Sequence, residues 1–355
     1  MGPGHSSTTD SPTDAPAADA LRFAVLGLGR AGLEHAMAAA RLPGCTLAGL
    51  VDARADRRRF ARGVGFPAPA VATLEALAAR ESVGAVLVCV PLAQRAAAIE
   101  DALARGLPVL VTGLPAANGA EAARIEAAIA RGGRVCCGVP ALFHPLFRRA
   151  QDLLAARAIG RAERVRASTF VSRVFAAGAD PRGGDVLDFV MADLLWLLDA
   201  LFGPTRAVRS SVHRLFGERL DEVHATLELH EGLDAAVDGS WSVPGYPRAA
   251  LVVEAEGERG SLIASDDALE TNLTIPPAGF EAGESRRVVA DEPDPLPFDA
   301  GDATAVVLAF RRALDGAAEP ALDPARARRV VRVIDALRRS AAGEGVTGER
   351  VEVAS

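Results

Sequence analysis

Short apolar runs alternate with longer amphipathic stretches from residue 21 to about residue 138. Five runs have the length of buried strands: LRFAVLGLG, TLAGLVDA, VGAVLVCVP, LPVLVTG and GRVCCG. The alanine-rich stretches between them space their apolar residues as helices do. Strands that are buried on both faces and alternate with helices form a parallel sheet with helices on each side. This pattern predicts a doubly wound α/β domain over residues 21–139.

A different rhythm begins at residue 140. Alternating runs such as RVRASTFVSRV, VHATLELH and ALVVEAEG follow one another through short polar turns, which indicates antiparallel strands. Together with the helical stretches, they predict an α+β domain over residues 140–355 with a large, mostly antiparallel sheet. Segment 276–299 is predicted to be a long surface loop or a poor edge strand. The helical stretches span 143–157, 184–202, 302–316 and 323–341.

The first 20 residues are rich in Ser, Thr, Pro, Asp and Ala and contain no arginine. They lack the charged start and the apolar centre of a signal peptide, so we predict a disordered tail. No apolar run in the chain reaches the roughly 18 residues that a membrane-spanning helix requires. The net charge of -7 and the lack of a long basic run argue against nucleic acid and anionic membranes as partners.

Cysteine and histidine patterns favour a reduced protein without a metal site. The four cysteines lie in or beside apolar runs without metal-ligand spacing, and no two of the six histidines are four residues apart. Disulfides are rare in the cytoplasm, where thiols of this kind serve as small core residues. We therefore expect a cytoplasmic protein with no metal ligands. The cysteines are Cys45, Cys89, Cys136 and Cys137.

All 39 basic side chains are arginine, because the sequence contains no lysine. This count excludes a Schiff-base lysine, a phosphate-loop lysine and a lysine general base. We attribute it to coding bias, since arginine and alanine are abundant along the whole chain.

A glycine turn follows the first predicted strand. Gly27 permits a tight turn, Gly29 lets the backbone approach a pyrophosphate, and Gly32 allows the next helix to pack on the strand. Arg30 and Ala31 are in the first turn of this helix. The free N–H groups of that turn and the positive end of the helix dipole would face the phosphates of a dinucleotide. The turn, with a strand before it and a helix after it, predicts a dinucleotide site.

Asp52 ends the second predicted strand, about 20 residues after the glycine turn. A carboxylate at this position accepts both ribose hydroxyls and would repel a 2′-phosphate, so it favours NAD(H). Arg54 and Arg57 lie close enough in sequence to leave NADP(H) open. Val90 and Pro91, which follow Cys89 at the end of another strand, are expected at the crevice of the sheet and against the cofactor.

These motifs resemble the glucose-fructose oxidoreductase, inositol dehydrogenase and MocA (Gfo/Idh/MocA) family along nearly the whole folded chain. The resemblance rests on GLGRAGLEHA, on Val90-Pro91-Leu92, on PVLVTGLPA at 108–116, on LFHP at 142–145 and on GDVLDFVMAD at 184–193. It implies a Rossmann dinucleotide-binding domain, a substrate and oligomerisation domain, NAD(P)-dependent oxidation or reduction of a small molecule, and a homodimer or homotetramer.

The chain departs from the family where the family handles protons. The family's lysine aligns with Gly113, and its helix histidine aligns with Ala192. A histidine in the loop after the fourth strand becomes Arg95, and the polar residues before His-Pro become Pro140 and Ala141. Hydride transfer remains feasible, because positioning the reactants contributes more to the rate than a single acid or base.

Three residues are candidates for the missing proton chemistry. Asp188 lies in a helix that is apolar around most of its circumference, and we predict it as proton donor; the alternative is a buried carboxylate bound to backbone N–H groups or an arginine. Thr112 would hydrogen-bond the nicotinamide or the substrate, or would cap its strand. His144 would line the pocket, or would be an ordinary loop histidine before proline.

The residues aligned with the pocket wall are more apolar than a sugar site requires. They predict a less polar substrate than sugars or inositols, such as an intermediate of specialised metabolism. The wall consists of Leu114, Pro115, Pro140, Leu142, Phe143, Phe189, Met191 and Ala192.

Two functions remain open on the sequence alone. The first is an NAD(P)-dependent oxidoreductase with atypical acid and base groups. The second is a redox-inactive family member that binds a dinucleotide and a ligand for a sensory, scaffolding or non-redox role such as elimination or cyclisation. In either case we expect the second domain to use its sheet to form a homo-oligomer, since apolar positions such as Val223, Ala225, Leu227 and Leu229 form a face that its own helices would not cover.

Overall fold

The structure is a computed structural model that describes residues 20–171, 184–215, 219–243, 250–291, 301–342 and 348–353. The predicted tail therefore lies outside the described residues, except for residue 20. Two sheets organise the remainder, one of six strands and one of nine. The predicted fold class, a Rossmann-like parallel sheet followed by a mostly antiparallel sheet, is confirmed.

The first sheet is parallel throughout, with strand order β3-β2-β1-β4-β5-β6. Its central strands are almost fully buried because helices cover both faces, as their continuous apolar runs predict. The order reverses between β1 and β4, so a crevice opens beyond the carboxyl ends of these strands. The strands are β1 (Leu21–Leu26), β2 (Cys45–Val51), β3 (Ala70–Val71), β4 (Ala85–Val88), β5 (Val109–Thr112) and β6 (Val135–Gly138).

Five helices connect these strands, and local residues set where they begin and end. The Asn118 side chain caps one helix by accepting the Glu121 N–H, while the Glu121 carboxylate accepts the Ala117 N–H in return. Another helix ends at Gly65 in the left-handed conformation. The helices are α1 (Arg30–Arg41), α2 (Ala55–Val64), α3 (Leu74–Ala78), α4 (Leu92–Ala104) and α5 (Gly119–Ala130).

The second sheet has strand order β14-β13-β12-β11-β7-β10-β9-β8-β15. Only the β7–β10 pair is parallel among its described strands. The predicted loop or edge strand over 276–299 contains edge strand β14, while residues 292–300 are not described. The strands are β7 (Ala162–Phe170), β8 (Ala207–His213), β9 (Glu222–Glu228), β10 (Asp234–Ser240), β11 (Ala250–Gly257), β12 (Gly260–Ser265), β13 (Ala268–Leu273), β14 (Gly283–Val288) and β15 (Val351–Glu352).

The four helices predicted in the second half are all present. A 3₁₀ turn (Pro140–Phe143) joins β6 to the first of them, and a π-helical turn (Leu187–Met191) precedes the second. The second helix is buried on most sides, as its sequence predicts. The helices are α6 (Pro145–Ala155), α7 (Ala192–Phe202), α8 (Gly301–Leu314) and α9 (Pro324–Ala341).

Helix α8 packs against the first sheet, although it follows the second sheet in sequence. Val306, Val307 and Phe310 are fully buried in a core that includes Phe23 and Leu47 of the parallel strands. The chain therefore returns to its first sheet after completing the second one. The division at residue 139 remains a prediction based on sequence.

The apolar positions expected to need a partner subunit are covered within the chain. Val223, Leu227 and Leu229 are at most 1% exposed, and Ala225 is partly buried against the same core. Positions that alternate with them in β9, such as His224 and Thr226, are exposed and polar. The chain's own helices thus satisfy this face, contrary to the expectation from sequence, because α7 and α9 lie on it.

Within the described ranges, no helix is long and apolar enough to cross a membrane. The same residues contain no cluster of three or more histidine, cysteine or acidic side chains that could hold a metal ion.

Candidate functional site

The glycine turn between β1 and α1 has the backbone that its sequence predicts. Gly27 has φ of +92°, and a Cβ atom there would lie 2.6 Å from the carbonyl oxygen of Cys89. A Cβ atom on Gly32 would lie 1.8 Å from the Gly27 carbonyl oxygen. Both positions therefore require glycine for the close contact of β1, β4 and α1.

Gly29 differs from these two glycines because its missing side chain faces open space. The nearest atom to a Cβ there would be Nη1 of Arg57, at 3.9 Å. Gly29 is also the N-cap of α1, and it has no side chain to satisfy the first N–H groups of the helix. Arg30 and Ala31 are exposed in the first turn. This end of α1 is open to an anion, as a pyrophosphate site requires.

Asp52 stands beside the glycine turn at the end of β2. Its carboxylate accepts the N–H of Leu28 at 2.8 Å and the N–H of Arg54 at 2.9 Å. Only 7% of the residue is exposed. Two backbone N–H groups therefore fix the carboxylate next to the turn, where a ribose would lie beyond the pyrophosphate.

Arginines surround this carboxylate. Nη1 of Arg57 lies 3.5 Å from Oδ2 of Asp52, and Nη1 of Arg58 donates to the Asp52 carbonyl at 2.6 Å. The guanidinium of Arg54 forms an ion pair with Asp56 at 2.5 Å. Positive charge thus lies close to the predicted ribose site, and NADP(H) stays open as the sequence left it.

The residues after β4 close the other side of the crevice. Pro91 is the N-cap of α4, and the Val90 carbonyl oxygen accepts a hydrogen bond from Arg95 at 3.1 Å. Cys89 lies against the glycine turn, and burial raises the pKa of its thiol to about 12. Cys89 is therefore a neutral packing residue at physiological pH and not a nucleophile.

Arg95 is a site residue that sequence reasoning noted only as a departure from the family. Besides Val90, its guanidinium binds the carbonyl oxygens of Thr112 at 3.2 Å and Leu114 at 2.5 Å. These carbonyls lie at or just beyond the carboxyl ends of β4 and β5. The guanidinium therefore lies at the crevice of the sheet. An arginine in the first turn after a strand end was the only available signal, and it is a weak one.

Gly113, at the position of the family's lysine, borders the same guanidinium. Its φ is +78°, and a Cβ atom there would lie 3.4 Å from Nη1 of Arg95. The contact that Thr112 makes to Arg95 uses its carbonyl oxygen, whereas the prediction concerned its hydroxyl group. Leu114, predicted in the pocket wall, is only 2% exposed.

Asp188 belongs to a partly buried ionic cluster. Its Oδ1 lies 2.8 Å from Nη2 of Arg338, an ion pair without hydrogen-bond geometry, and its Oδ2 accepts the N–H of Asp185 at 3.1 Å. Asp185 also pairs with Arg338 at 3.1 Å. Burial, and then the neighbouring Asp188 charge, raise the pKa of Asp185. The surroundings of Asp188 match the structural alternative that the sequence left open.

The π-helical turn changes the spacing of the side chains around Asp188. Regular α-helical periodicity would place Asp185, Asp188 and Ala192 on one face, whereas residues 187–191 form a wider turn. Asp185 and Asp188 do come together at Arg338. Ala192 is only 2% exposed and belongs to the core.

The remaining predicted residues lie in the segment after β6 or in the π-helical turn. His144 is buried at the start of α6, with its ring centroid 5.3 Å from that of Phe147. Pro140 and Phe143 are half-buried in the 3₁₀ turn after β6. Phe189 is half-buried as well, and it stacks on Trp241 with 6.5 Å between the two ring centroids. Three members of the predicted apolar wall thus keep some exposure.

The geometry fits a nicotinamide dinucleotide. Gly29 leaves the space that a pyrophosphate needs, α1 directs its uncapped N–H groups toward that space, and Asp52 is fixed for a ribose. Such a dinucleotide supplies or accepts a hydride at the nicotinamide ring. Gly27, Gly29, Arg30, Ala31, Gly32 and Asp52 would hold it.

Comparisons with known proteins agree with this geometry. The model of an oxidoreductase family with an NAD-binding Rossmann fold (GFO_IDH_MocA) matches residues 21–140. Among curated proteins, none matches the chain in sequence.

Solved structures match nearly the whole chain. GenD2 from gentamicin A biosynthesis, in complex with NAD, is 25% identical with a TM-score of 0.76, over 97% of this chain and 99% of that one. An oxidoreductase domain protein from Kribbella flavida is 22% identical with a TM-score of 0.80, over 95% and 100% of the two chains. Levoglucosan dehydrogenase, in complex with NADH and levoglucosan, is 19% identical with a TM-score of 0.79, over 94% and 99%.

The family match covers the domain that carries the glycine turn and Asp52, and the structural matches extend the likeness over both sheets. Over residues 21–140, the chain is therefore similar to the Gfo/Idh/MocA oxidoreductase family with its NAD-binding Rossmann fold.

Proposed function

We propose that this protein is an NAD(H)-dependent oxidoreductase that transfers a hydride to or from a small substrate. The observation that carries the proposal is the pairing of an open, uncapped Gly29 with a carboxylate of Asp52 that two backbone N–H groups hold beside it. The NAD bound in the GenD2 structure supports the same cofactor. NADP(H) remains the second candidate because of Arg54 and Arg57.

We propose further that the substrate is less polar than a sugar. Pro140, Phe143 and Phe189 are half-buried and offer no side-chain hydrogen-bond groups to hydroxyls. GenD2 takes part in gentamicin A biosynthesis, which agrees with a substrate from specialised metabolism. Brisk turnover of sugars and polyols, without turnover of hydrophobic ketones or imines, would contradict this substrate class.

The assignment of Asp188 as proton donor stays a prediction. Its ion pair with Arg338 favours a structural role instead. Replacing Asp188 with asparagine keeps the side-chain volume, so unchanged turnover in Asp188→Asn would eliminate the assignment.

A redox-inactive role is the second candidate function. The observation in its favour is that neither Gly113 nor the buried Ala192 offers a proton-transfer group at the positions of the family's lysine and histidine. This function retains the dinucleotide but involves no hydride transfer. Binding of NADH without loss of its near-ultraviolet absorbance, over a panel of ketones, imines, sugars and polyols, would favour it.

The first test measures dinucleotide binding by wild type and by Asp52→Asn from the fluorescence of NADH and NADPH. We expect the wild type to bind NADH. We expect Asp52→Asn to weaken NADH binding about tenfold or more, because hydrogen bonds to a charged group are lost. Asp56→Asn is the matched control, since Asp56 is exposed and pairs only with Arg54 among the described residues. A wild type that binds neither dinucleotide would exclude both functions.

Oligomeric state and location also stay predictions. Association through the second sheet would join polar strands, because Val223, Leu227 and Leu229 face inward. Sedimentation velocity would decide whether the homodimer or homotetramer forms. The cytoplasmic location rests on the cysteine pattern alone; the four thiols are free.

A further inference from the structure

The guanidinium of Arg95 is held over the ends of two adjacent parallel strands. Its Nε donates to Val90, which follows β4, and its Nη1 donates to Thr112 and Leu114, at and beyond the end of β5. Three carbonyl oxygens from two loops therefore fix the plane of the group. A side chain that is fixed in this way can place its remaining donors with little loss of conformational freedom.

Carbonyl oxygens satisfy the donors of a guanidinium but do not neutralise its charge. Among the described residues, Arg95 forms no ion pair, although it is partly buried. Asp193 and Asp188 lie close enough to interact electrostatically with the guanidinium, whereas burial raises the pKa of the nearby Cys89 and Cys137 thiols and keeps them uncharged. Asp188 already pairs with Arg338. A buried charge of this kind favours a partner of opposite charge.

The donors that remain indicate the size of such a partner. A guanidinium carries five N–H groups, one on Nε and two on each Nη. Nε and Nη1 use theirs on the three carbonyls, which leaves Nη2 without a hydrogen bond to any described residue. A single amino group binds one oxygen atom, either an alkoxide oxygen or one oxygen of a carboxylate, whereas a bidentate contact to a carboxylate needs a pair of donor nitrogens.

Gly113 leaves room for this arrangement. Its Cβ would lie at 3.4 Å from Nη1, and its φ of +78° disfavours any side chain. A lysine or arginine at residue 113 would crowd the Arg95 guanidinium with a second positive charge. The glycine at 113 and the arginine at 95 therefore form a compatible pair.

We propose that Nη2 of Arg95 binds a negatively charged oxygen of the substrate at the carboxyl ends of β4 and β5. The proposal rests on the proposed function and specifies its substrate chemistry: an otherwise apolar molecule with one oxygen that carries negative charge. In the oxidative direction the substrate loses a hydride to the dinucleotide and its hydroxyl proton to solvent, and it keeps the oxygen as a carbonyl. Arg95 retains its own proton and stabilises the charge on that oxygen.

Two sources of this oxygen share the same chemistry: the reacting oxygen itself, as an alkoxide, or a separate carboxylate. Fluorine NMR line broadening distinguishes them with small probes on dinucleotide-loaded protein. One pair of probes is trifluoroacetate and the neutral trifluoroacetamide, and both are measured on protein loaded with NADH. The other pair is trifluoroethanol, an acidic alcohol, and the less acidic 2-fluoroethanol, and both are measured on protein loaded with NAD⁺.

We expect wild type to bind trifluoroacetate about tenfold to a hundredfold more tightly than trifluoroacetamide, as charged hydrogen bonds imply. Arg95→Met removes the charge and should abolish this preference. Arg105→Met is the matched control, because Arg105 is an exposed arginine at the end of the same helix and should leave the preference unchanged.

Loss of binding in Arg95→Met for both trifluoroacetate and trifluoroethanol supports the reacting oxygen, and loss for trifluoroacetate alone supports a separate carboxylate. Equal binding of trifluoroacetate and trifluoroacetamide by wild type would overturn the proposal, even if Arg95→Met failed to fold. So would an unchanged preference in a folded Arg95→Met. NADH fluorescence on the same samples reports the proposed function separately, since failure to bind NADH concerns the dinucleotide site and not Arg95.

Discussion

His35 lies one turn inside α1, and burial sets its protonation state. Its Nδ1 lies 2.7 Å from the Ala31 carbonyl oxygen, and its Nε2 is buried without a hydrogen-bond partner among the described residues. Burial lowers the pKa of His35; the Ala31 hydrogen bond opposes this effect and the Arg95 charge adds to it. The ring is therefore neutral in the folded protein, with the proton on Nδ1.

This lowered pKa predicts a loss of stability in acid. The unfolded chain binds a proton below its ordinary pKa of 6.5, whereas the folded chain resists it, so stability falls as the pH drops below 6.5. His35→Leu should show a smaller fall in thermal midpoint between pH 7.5 and pH 5.5 than wild type. Differential scanning fluorimetry at both pH values measures this fall in the thermal midpoint. His230→Leu, at an exposed position, should keep the slope of the wild type; equal slopes for wild type and His35→Leu would refute the assignment.

Asp199 joins two helices that are distant in sequence. On α7, it accepts hydrogen bonds from Arg326 at 2.9 Å and from Arg329 at 2.8 Å, both on α9. Asp199 is 9% exposed, so one carboxylate compensates two arginines at the helix contact. The pairing fixes how α9 lies against α7 beneath the second sheet.

Removing this carboxylate leaves two arginines without their shared partner. We expect Asp199→Ala to lower the free energy of unfolding by about 3–5 kcal/mol, the usual cost of breaking a buried ion pair from one side. Urea denaturation measures the change. Asp152→Ala on α6 is the control, because Asp152 is exposed, and it should change stability by about 0.5 kcal/mol or less. Equal effects of the two substitutions would show that the α7–α9 ion pair contributes no net stability.

Helix α8 ties the end of the chain to its beginning. Phe310 is fully buried, and its ring centroid lies 6.1 Å from that of Phe23 in β1. Arg311 in the same helix donates to the Gly44 carbonyl before β2 at 2.5 Å. The sheet that carries the glycine turn is therefore completed by residues nearly 300 positions later in the sequence.

This packing predicts that the first sheet depends on α8. Phe310→Ala should destabilise the protein by about 3–5 kcal/mol, because it opens a cavity in the core behind β1. Phe60→Ala is the matched control, since Phe60 is 62% exposed on α2 and should cost about 0.5 kcal/mol or less. Thermal unfolding of both variants measures these two losses of stability. A Phe310→Ala protein as stable as the Phe60→Ala protein would mean that α8 is not part of this core.

Local patterns were sufficient for the elements and for the backbone of the glycine turn. Buried parallel strands require continuous apolar runs, and the tight turn at Gly27–Gly32 requires glycines whichever residues surround it, so both can be predicted from neighbouring residues. The same holds for the place of Asp52 beside that turn, which depends on its distance from the turn along the sequence.

Only the tertiary structure decided what lies across from these elements. Arg95 gains its place from carbonyls of two separate loops, and Asp188 gains its partner from Arg338, 150 residues later. The packing of α8 on the first sheet and the inward face of β9 are likewise set by long-range contacts. Periodicity reports which face of an element is apolar, but not which part of the chain covers it. For this reason the sequence determined the glycine turn, and tertiary packing determined where charge lies at the carboxyl ends of β4 and β5.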